Sequence, residues 1–339
     1  MLEKVQETTS ATLQDAFGRH ITYLRLSVTD RCDLRCRYCM AETMQFLPRK
    51  DLLTIDEMSA ISRGLIARGI RKIRLTGGEP LTRRDLPELA LRLGSHLGAG
   101  DLEELTLTTN GMQLAGHAKA LARAGIRRIN VSLDTRDRER FRHITRWGTL
   151  DRVLEGIAAA KAEGLSIKIN TVALKDFNED ELGTMLQWCG DQGHDLTLIE
   201  TMPLGVVDED RTDRYLPLSQ VRSALERCFT LLPSAHRTGG PARYFDVLET
   251  GGRLGLITPM SQNFCDGCNR IRLSAQGKLY LCLGHDDKID LKAAYRAGGL
   301  NALEQAIESG LARKPLRHQF RIGENLPPTV ERHMSVTGG

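Results

Sequence analysis

Between residues 20 and 200 the chain alternates two hydrophobic periods. Short runs with apolar side chains at every second position predict strands at 21–28, 70–76, 104–109, 127–133, 166–172 and 195–200. Between them, amphipathic helical spacing covers 56–68, 85–97, 113–124, 150–163 and 179–190. Thr54 with Glu57, and Asn178 with Glu181, have the spacing of capping boxes at two helix starts. Strand–helix units in series imply parallel strands joined by helical crossovers.

The two faces of these strands are unequal. Leu24, Leu26 and Val28 oppose Tyr23, Arg25 and Ser27. Ile73 and Leu75 oppose Lys72, Arg74 and Thr76. Leu105 and Leu107 oppose Thr106 and Thr108, Ile129, Val131 and Leu133 oppose Asn130 and Ser132, and Ile167 and Ile169 oppose Lys168 and Asn170. A sheet covered on both faces reads as near-continuous apolar runs. A closed eight-stranded barrel fills its centre with branched apolar side chains. Here the apolar face packs on helices, and the polar, partly cationic face requires water or a polar ligand. The expected fold is α/β: an incomplete (βα)6 barrel of parallel strands with a smaller C-terminal α+β region. Its lumen suits something large, polar and negatively charged. An α+β sheet with one solvated face is the competing reading.

Past residue 200 the pattern loosens. Residues 203–217 read as a polar connection and 233–242 as a loop. A helix is expected near 218–229, short strands near 243–258, and a hairpin, IRLSAQGKLYLCL, turning at Gly277. The expected divisions are an N-terminal extension over 1–20, the barrel over 21–216, the C-terminal region over 217–323 and a mobile tail over 324–339.

Composition narrows the class. The 339 residues are 41% hydrophobic and 27% charged, as in a globular chain that buries a large core. Lys and Arg total 47 against 43 Asp and Glu, a net charge of +4 that is weak for a protein coating duplex nucleic acid. No run approaches the roughly 18 consecutive apolar residues of a membrane span, and residues 1–20 hold no apolar signal core. The expectation is a cytoplasmic protein with neither nucleic acid nor membrane as partner.

Six of the eight cysteines form two groups, Cys32, Cys36, Cys39 and Cys265, Cys268, Cys282. In a cytoplasmic chain such clusters favour metal over disulfides. Cys189 and Cys228 fall at helical spacing after apolar residues and read as core. Cys32-x3-Cys36-x2-Cys39 follows the first strand at its C-terminal end, where α/β folds place ligands. No fourth Cys or His stands near, His20 being the closest upstream. Three thiolates on a four-iron cluster leave one iron open for substrate or cofactor, whereas structural zinc wants four protein ligands. The second group, with His285 beyond Cys282, reads by itself as a Cys3His zinc site.

Cys-x3-Cys-x-Tyr-Cys after a first strand resembles the radical S-adenosylmethionine enzymes. Thr76-Gly77-Gly78-Glu79-Pro80, ending the next strand, resembles that superfamily's S-adenosylmethionine motif. Residues 70–86, 130–146 and 264–273 (FCDGCNRIRL) narrow the likeness to the molybdenum-cofactor GTP 3′,8-cyclase family, and it runs from about Phe17 to Gly339. The resemblance implies two [4Fe–4S] clusters, each held by one cysteine triad, the first cleaving S-adenosylmethionine and the second binding GTP through its open iron. Asn269, Arg270 and Arg272 beside the second triad turn its reading from zinc to iron. By resemblance, Arg25, Arg74, Thr108, Lys168, Arg270 and Arg272 contact GTP. Tyr38, Gly78, Glu79, Ser132 and Met202 contact S-adenosylmethionine. Gly338 and Gly339, with Arg270 and Arg272, serve the reaction, the tail entering the active site. A 5′-deoxyadenosyl radical takes hydrogen from the ribose 3′ carbon, and the sugar carbon joins guanine carbon 8. An electron donor protein and a downstream cyclic pyranopterin monophosphate synthase are implied partners, and a homodimer is compatible. Another radical enzyme with an auxiliary cluster, such as a peptide maturase, is the alternative, and a zinc-stabilised nucleic-acid module a third reading.

The sequence also departs from the family pattern. Asp33 and Leu34 stand where the family has Asn and an aromatic, and Ala41 replaces a Pro. Residues 197–204 (TLIETMPL) are looser, which weakens Met202 most. No departure removes a thiolate or a lumen cation.

Overall fold

The alternation of strand and helix builds a single open sheet. The computed structural model describes residues 12–207, 213–323 and 326–338. In chain order the elements are β1 (Tyr23–Ser27), α1 (Ile55–Ala67), β2 (Lys72–Thr76), α2 (Leu86–Gly98), β3 (Glu104–Thr109), α3 (Leu114–Arg123), β4 (Arg128–Ser132), α4 (Arg138–Thr145), α5 (Leu150–Ala162), β5 (Ser166–Ala173), α6 (Leu182–Asp191) and β6 (Asp195–Glu200). Then follow α7 (Leu218–Leu225), β7 (Leu231–Pro233), β8 (Arg243–Val247), β9 (Arg253–Ile257), β10 (Arg270–Leu273), β11 (Lys278–Tyr280), β12 (Lys288–Asp290), α8 (Leu291–Leu311) and α9 (Met334–Thr337).

The six expected strands pair in parallel in sequence order, β1 to β6. Strands from beyond residue 217 extend this sheet at both edges. β10 joins β1 in parallel and leads to β11 and β12, while β9 joins β6 in parallel and leads to β8 and β7. The C-terminal region therefore shares the sheet of the barrel.

The apolar strand face determines the layering. Leu24, Leu26, Ile73, Leu75, Leu107, Ile129 and Val131 pack with Leu65, Leu89, Leu121 and Val153 of the crossover helices in one core, which also takes Ile271, Leu279, Leu303 and Ile307. Each such side chain contributes about 1.5–3 kcal/mol when buried. A one-residue slip of β1 would bring Arg25 against the helices and Leu24 into the lumen, so the register is strongly held.

The capping box at Thr54 is present, with Thr54 Oγ1 accepting from Glu57 N at 3.2 Å and Glu57 Oε2 from Thr54 N at 2.9 Å. The box expected at Asn178 is not. Its amide instead accepts from Leu174 N and donates to Asp134 O and Val172 O, while Glu181 accepts from Thr135 and Arg140. A 3-10 turn at Glu179–Glu181 delays α6 until Leu182. Cys189 is core, but Cys228 is exposed, because α7 stops at Leu225 and the chain turns before it. Two helices lack a clear sequence signal. α4 is short and polar, with Asp137 accepting from Arg140 N at its start. α8 is broken by non-helical Gly298 and Gly299.

The end of the chain, expected to be mobile from 324, packs back across the lumen over 326–338. Leu204 bridges Val330, Thr329 N donates to Pro203 O at 3.0 Å, and Arg332 donates to Leu283 O at 2.8 Å. Val330, Ser335 and Thr337 are buried, which supplies the apolar area and backbone partners that a free tail lacks. Among the described residues no helix is long and apolar enough to cross a membrane.

Candidate active site

The polar strand faces converge on the lumen, and the charged side chains that line one chamber there are all cations. Strand pairing sets Arg272 of β10 opposite Arg25 of β1, and Arg25 opposite Arg74 of β2. Three guanidinium groups thus stand in a row across adjacent strands, although like charges directly opposite destabilise a sheet. With Arg270 and Lys168 they line one chamber, and all five are buried. None ion-pairs with a carboxylate among the described residues. Burial, then the cations Arg272 and Arg74, hold Arg25 well below the usual guanidinium range. Burial with Arg270 and Arg332 pushes Arg272 down to about 9. Burial with Arg74 and Arg128 pushes Lys168 down to about 7, and its ammonium donates to the Tyr244 hydroxyl. The Nε atoms of Arg25 and Arg74, Thr108 Oγ1 and Asn170 Oδ1 have no partner among the described residues. Uncompensated burial costs several kcal/mol per ion. A polyanion entering the chamber offsets that cost.

Each cysteine triad sits in its own chamber. Cys265, Cys268 and Cys282 line the cationic one, and Cys32, Cys36 and Cys39 line a neighbour with Tyr38, Gly78 and Glu79. Thr108, Ser132 and Met334 line both, so the chambers adjoin. Met202 lines the cationic chamber. Burial and the neighbouring thiols push Cys36 up. Burial also pushes against ionisation of Cys268, but Arg270 and Lys314 outweigh it and bring the thiol down to about 7.

The donor sets fit iron–sulfur clusters. Among the described residues no three Cys, His, Asp or Glu side chains converge as a single-ion site. The thiols of each triad instead surround a chamber. His20 is exposed, and His285 Nε2 stands 3.0 Å from Arg317 O. Three thiolates lining one chamber suit a four-iron cluster that keeps one iron open.

The glycines of the Gly77-Gly78 turn serve a close backbone approach. A Cβ on Gly78 would stand 2.3 Å from Arg31 O, and Gly78 N donates to Thr29 O at 2.8 Å. This contact locks the start of the first cysteine loop against the turn. Glu79 is buried. It accepts from Leu81 N at 3.0 Å, Thr109 Oγ1 at 2.7 Å and Asn110 N at 2.7 Å. Burial still raises it to about 7, and one of about four lone-pair directions stays open for an ammonium group.

Gly338 is also at the lumen. Its carbonyl accepts from Arg272 Nη1 at 2.7 Å, and Met334 and Ser335 line the first chamber. Gly339 lies outside the described residues.

Sequence reasoning passed over several participants. Asp134 Oδ2 accepts from the Tyr38 hydroxyl at 2.8 Å, and burial raises Asp134 to about 6. Its place just past β4, two residues after Ser132, was an available signal. Asp33, one of the departures, accepts from Asn110 at 2.7 Å and Gln113 at 2.9 Å and so braces the first cysteine loop. Met334 and Lys314 carry no sequence signal of this kind.

Comparison with known proteins agrees with this geometry. Residues 26–189 match the Radical SAM superfamily model, and residues 194–320 match that of Molybdenum Cofactor Synthesis C. The chain is 60% identical over 335 residues to a GTP 3′,8-cyclase of Sinorhizobium medicae, covering 98% of this chain and 96% of that one. It is 60% identical over 331 residues to the GTP 3′,8-cyclase of Erythrobacter litoralis, covering 97% and 99%. Among solved structures, Streptococcus suis SuiB bound to precursor peptide SuiA superposes with a TM-score of 0.60 at 15% identity, over 91% of this chain and 66% of that chain. SuiB bound to S-adenosylmethionine gives 0.58 at 16% identity, over 96% and 77%. These structural likenesses concern the fold. A radical S-adenosylmethionine domain carries a [4Fe–4S] cluster and S-adenosylmethionine. With near full-length identity of this order, the chain belongs to the GTP 3′,8-cyclase family.

Proposed function

We propose that this protein converts GTP to 3′,8-cyclo-7,8-dihydro-GTP, the first step of molybdenum cofactor biosynthesis. The observation that carries this reading is the row Arg272, Arg25, Arg74, buried and without counter-charge, beside the second of two adjoining thiol chambers.

In this reading Cys32, Cys36 and Cys39 would hold the first cluster, and Cys265, Cys268 and Cys282 would hold a second, which would supply an open coordination position for GTP. When bound, the first cluster and S-adenosylmethionine supply the 5′-deoxyadenosyl radical that takes hydrogen from the ribose 3′ carbon. The protein's own residues bind, orient and enclose. Arg25, Arg74 and Lys168 neutralise the triphosphate, with Thr108 as a polar contact. Arg270 and Arg272 offer planar donors to the nucleotide beside the second cluster. Gly78, Glu79, Ser132 and Tyr38, the last held by Asp134, seat S-adenosylmethionine. Met202, expected to contact S-adenosylmethionine, lines the cationic chamber and not the first one. The tail, with Gly338 on Arg272, closes the lumen against water. An electron donor protein must reduce the first cluster, and a cyclic pyranopterin monophosphate synthase consumes the product.

The reading is tested by two variants assayed without oxygen. Cys36→Ser abolishes S-adenosylmethionine cleavage. Arg270→Ala retains cleavage but loses cyclic product by about 100-fold. Undiminished product from Arg270→Ala overturns the assignment.

A further inference from the structure

Lys314 keeps 2% of its accessible surface, less than any other lysine or arginine among the described residues. It lines neither chamber, so it is not placed to touch substrate. Its ammonium donates to Leu281 O at 2.5 Å and Arg270 O at 3.0 Å, and stands 3.7 Å from Cys268 Sγ. Two of its three N–H groups are thus spent on carbonyls flanking the second triad, and the third is left for the sulfur.

The lysine is held there deliberately by the fold. Arg19 Nη1 donates to Cys265 O and to Leu316 O, both at 2.8 Å, and Nη2 donates to Pro315 O at 2.7 Å. Buried Asp15 fixes Arg19 Nε at 2.6 Å. The segment before β1 therefore clamps the stretch just after Lys314 to the loop of Cys265. No carboxylate pairs with Lys314 among the described residues. A buried ammonium needs a counter-charge, and the anionic sulfur it faces is the one on offer.

We infer that Lys314 is a positioning residue for the second cluster, delivering a fixed positive charge to Cys268 from behind and raising that cluster's reduction potential. The inference rests on the second triad holding a cluster. Hydrogen bonds to ligand sulfur and nearby charge set such potentials. A fixed cation favours the reduced, more negative state.

The test is a redox titration of the anaerobic holoenzyme followed by electron resonance, with the first cluster as internal reference. Lys314→Gln removes the charge and keeps N–H donors, and Lys314→Arg keeps the charge. The expected result is a shift of the second cluster's midpoint to more negative values in Lys314→Gln, a near wild-type value in Lys314→Arg, and an unmoved first cluster in both. An unchanged second midpoint in a fully iron-loaded Lys314→Gln protein overturns the inference. So does loss of the second cluster in both variants, which marks a purely structural role. A wild-type protein with iron for only one cluster rejects the function proposed above instead, and is seen before any variant is made.

Discussion

Arg272 Nη1 donates to the carbonyl oxygen of Gly338 at 2.7 Å, tying a lumen cation to the penultimate residue of the chain. Gly338 has φ +73°, and a Cβ there would stand 2.1 Å from Thr76 Cγ2. Gly338→Ala is therefore both strained and blocked. The expected outcome is a tail displaced from the lumen. Cyclic product falls by about 100-fold while S-adenosylmethionine cleavage persists. Limited proteolysis checks the displacement, cutting after Arg332 faster than in wild type.

The arginine row predicts opposite effects on stability and binding. Arg25 is buried between two like charges. In the GTP-free protein Arg25→Met relieves that repulsion and raises stability by about 1–3 kcal/mol. The same change weakens GTP binding by about 100-fold, since a charge-assisted contact to phosphate is lost. Thermal melting without GTP and titration with GTP read the two effects separately.

Lys168 predicts proton uptake on binding. Its value of about 7 lies below the ordinary 10.5 because of burial and then Arg74 and Arg128. A bound triphosphate favours the ammonium and raises it again. At about pH 8 the free lysine is mostly neutral, so GTP binding takes up about one proton, and Lys168→Met abolishes this. Calorimetry in buffers of different ionisation heat measures it. For stability, the folded chain binds fewer protons than the unfolded one between about 7 and 10.5, so this group's penalty is full below 7 and vanishes as pH rises through that window.

The Thr54 cap is a control away from the lumen. Thr54→Ala removes the acceptor for Glu57 N and costs about 1 kcal/mol. The melting temperature falls and the turnover number stays at the wild-type value.

Sequence alternation exposed the lumen cations because strand geometry puts every second side chain on one face, and Arg25, Arg74 and Lys168 obey it. The thiol triads were legible because their cysteines lie close in the chain. Contacts between distant segments were not. Nothing local joins Lys314 to Cys268, Arg19 to Leu316, or Asp134 to Tyr38. The packing of the tail was not legible for the same reason, since its partners at Pro203–Gly205 lie more than a hundred residues away. Asn178 deceived differently, because its capping pattern was outcompeted by the backbone groups of Asp134 and Val172.

The pairing of β1 with β10 has a consequence for biosynthesis. Tyr23 meets Lys72 on one side, but its other neighbour is Arg270. While the ribosome is still extending the chain, β1 remains an open edge with unsatisfied backbone groups. The trough beside it is roofless until the last fifth of the polypeptide emerges. Iron delivered to the nascent chain would meet oxygen and water there. Loading of the radical S-adenosylmethionine cluster thus belongs after translation ends, when the hairpin carrying Cys282 has closed that flank.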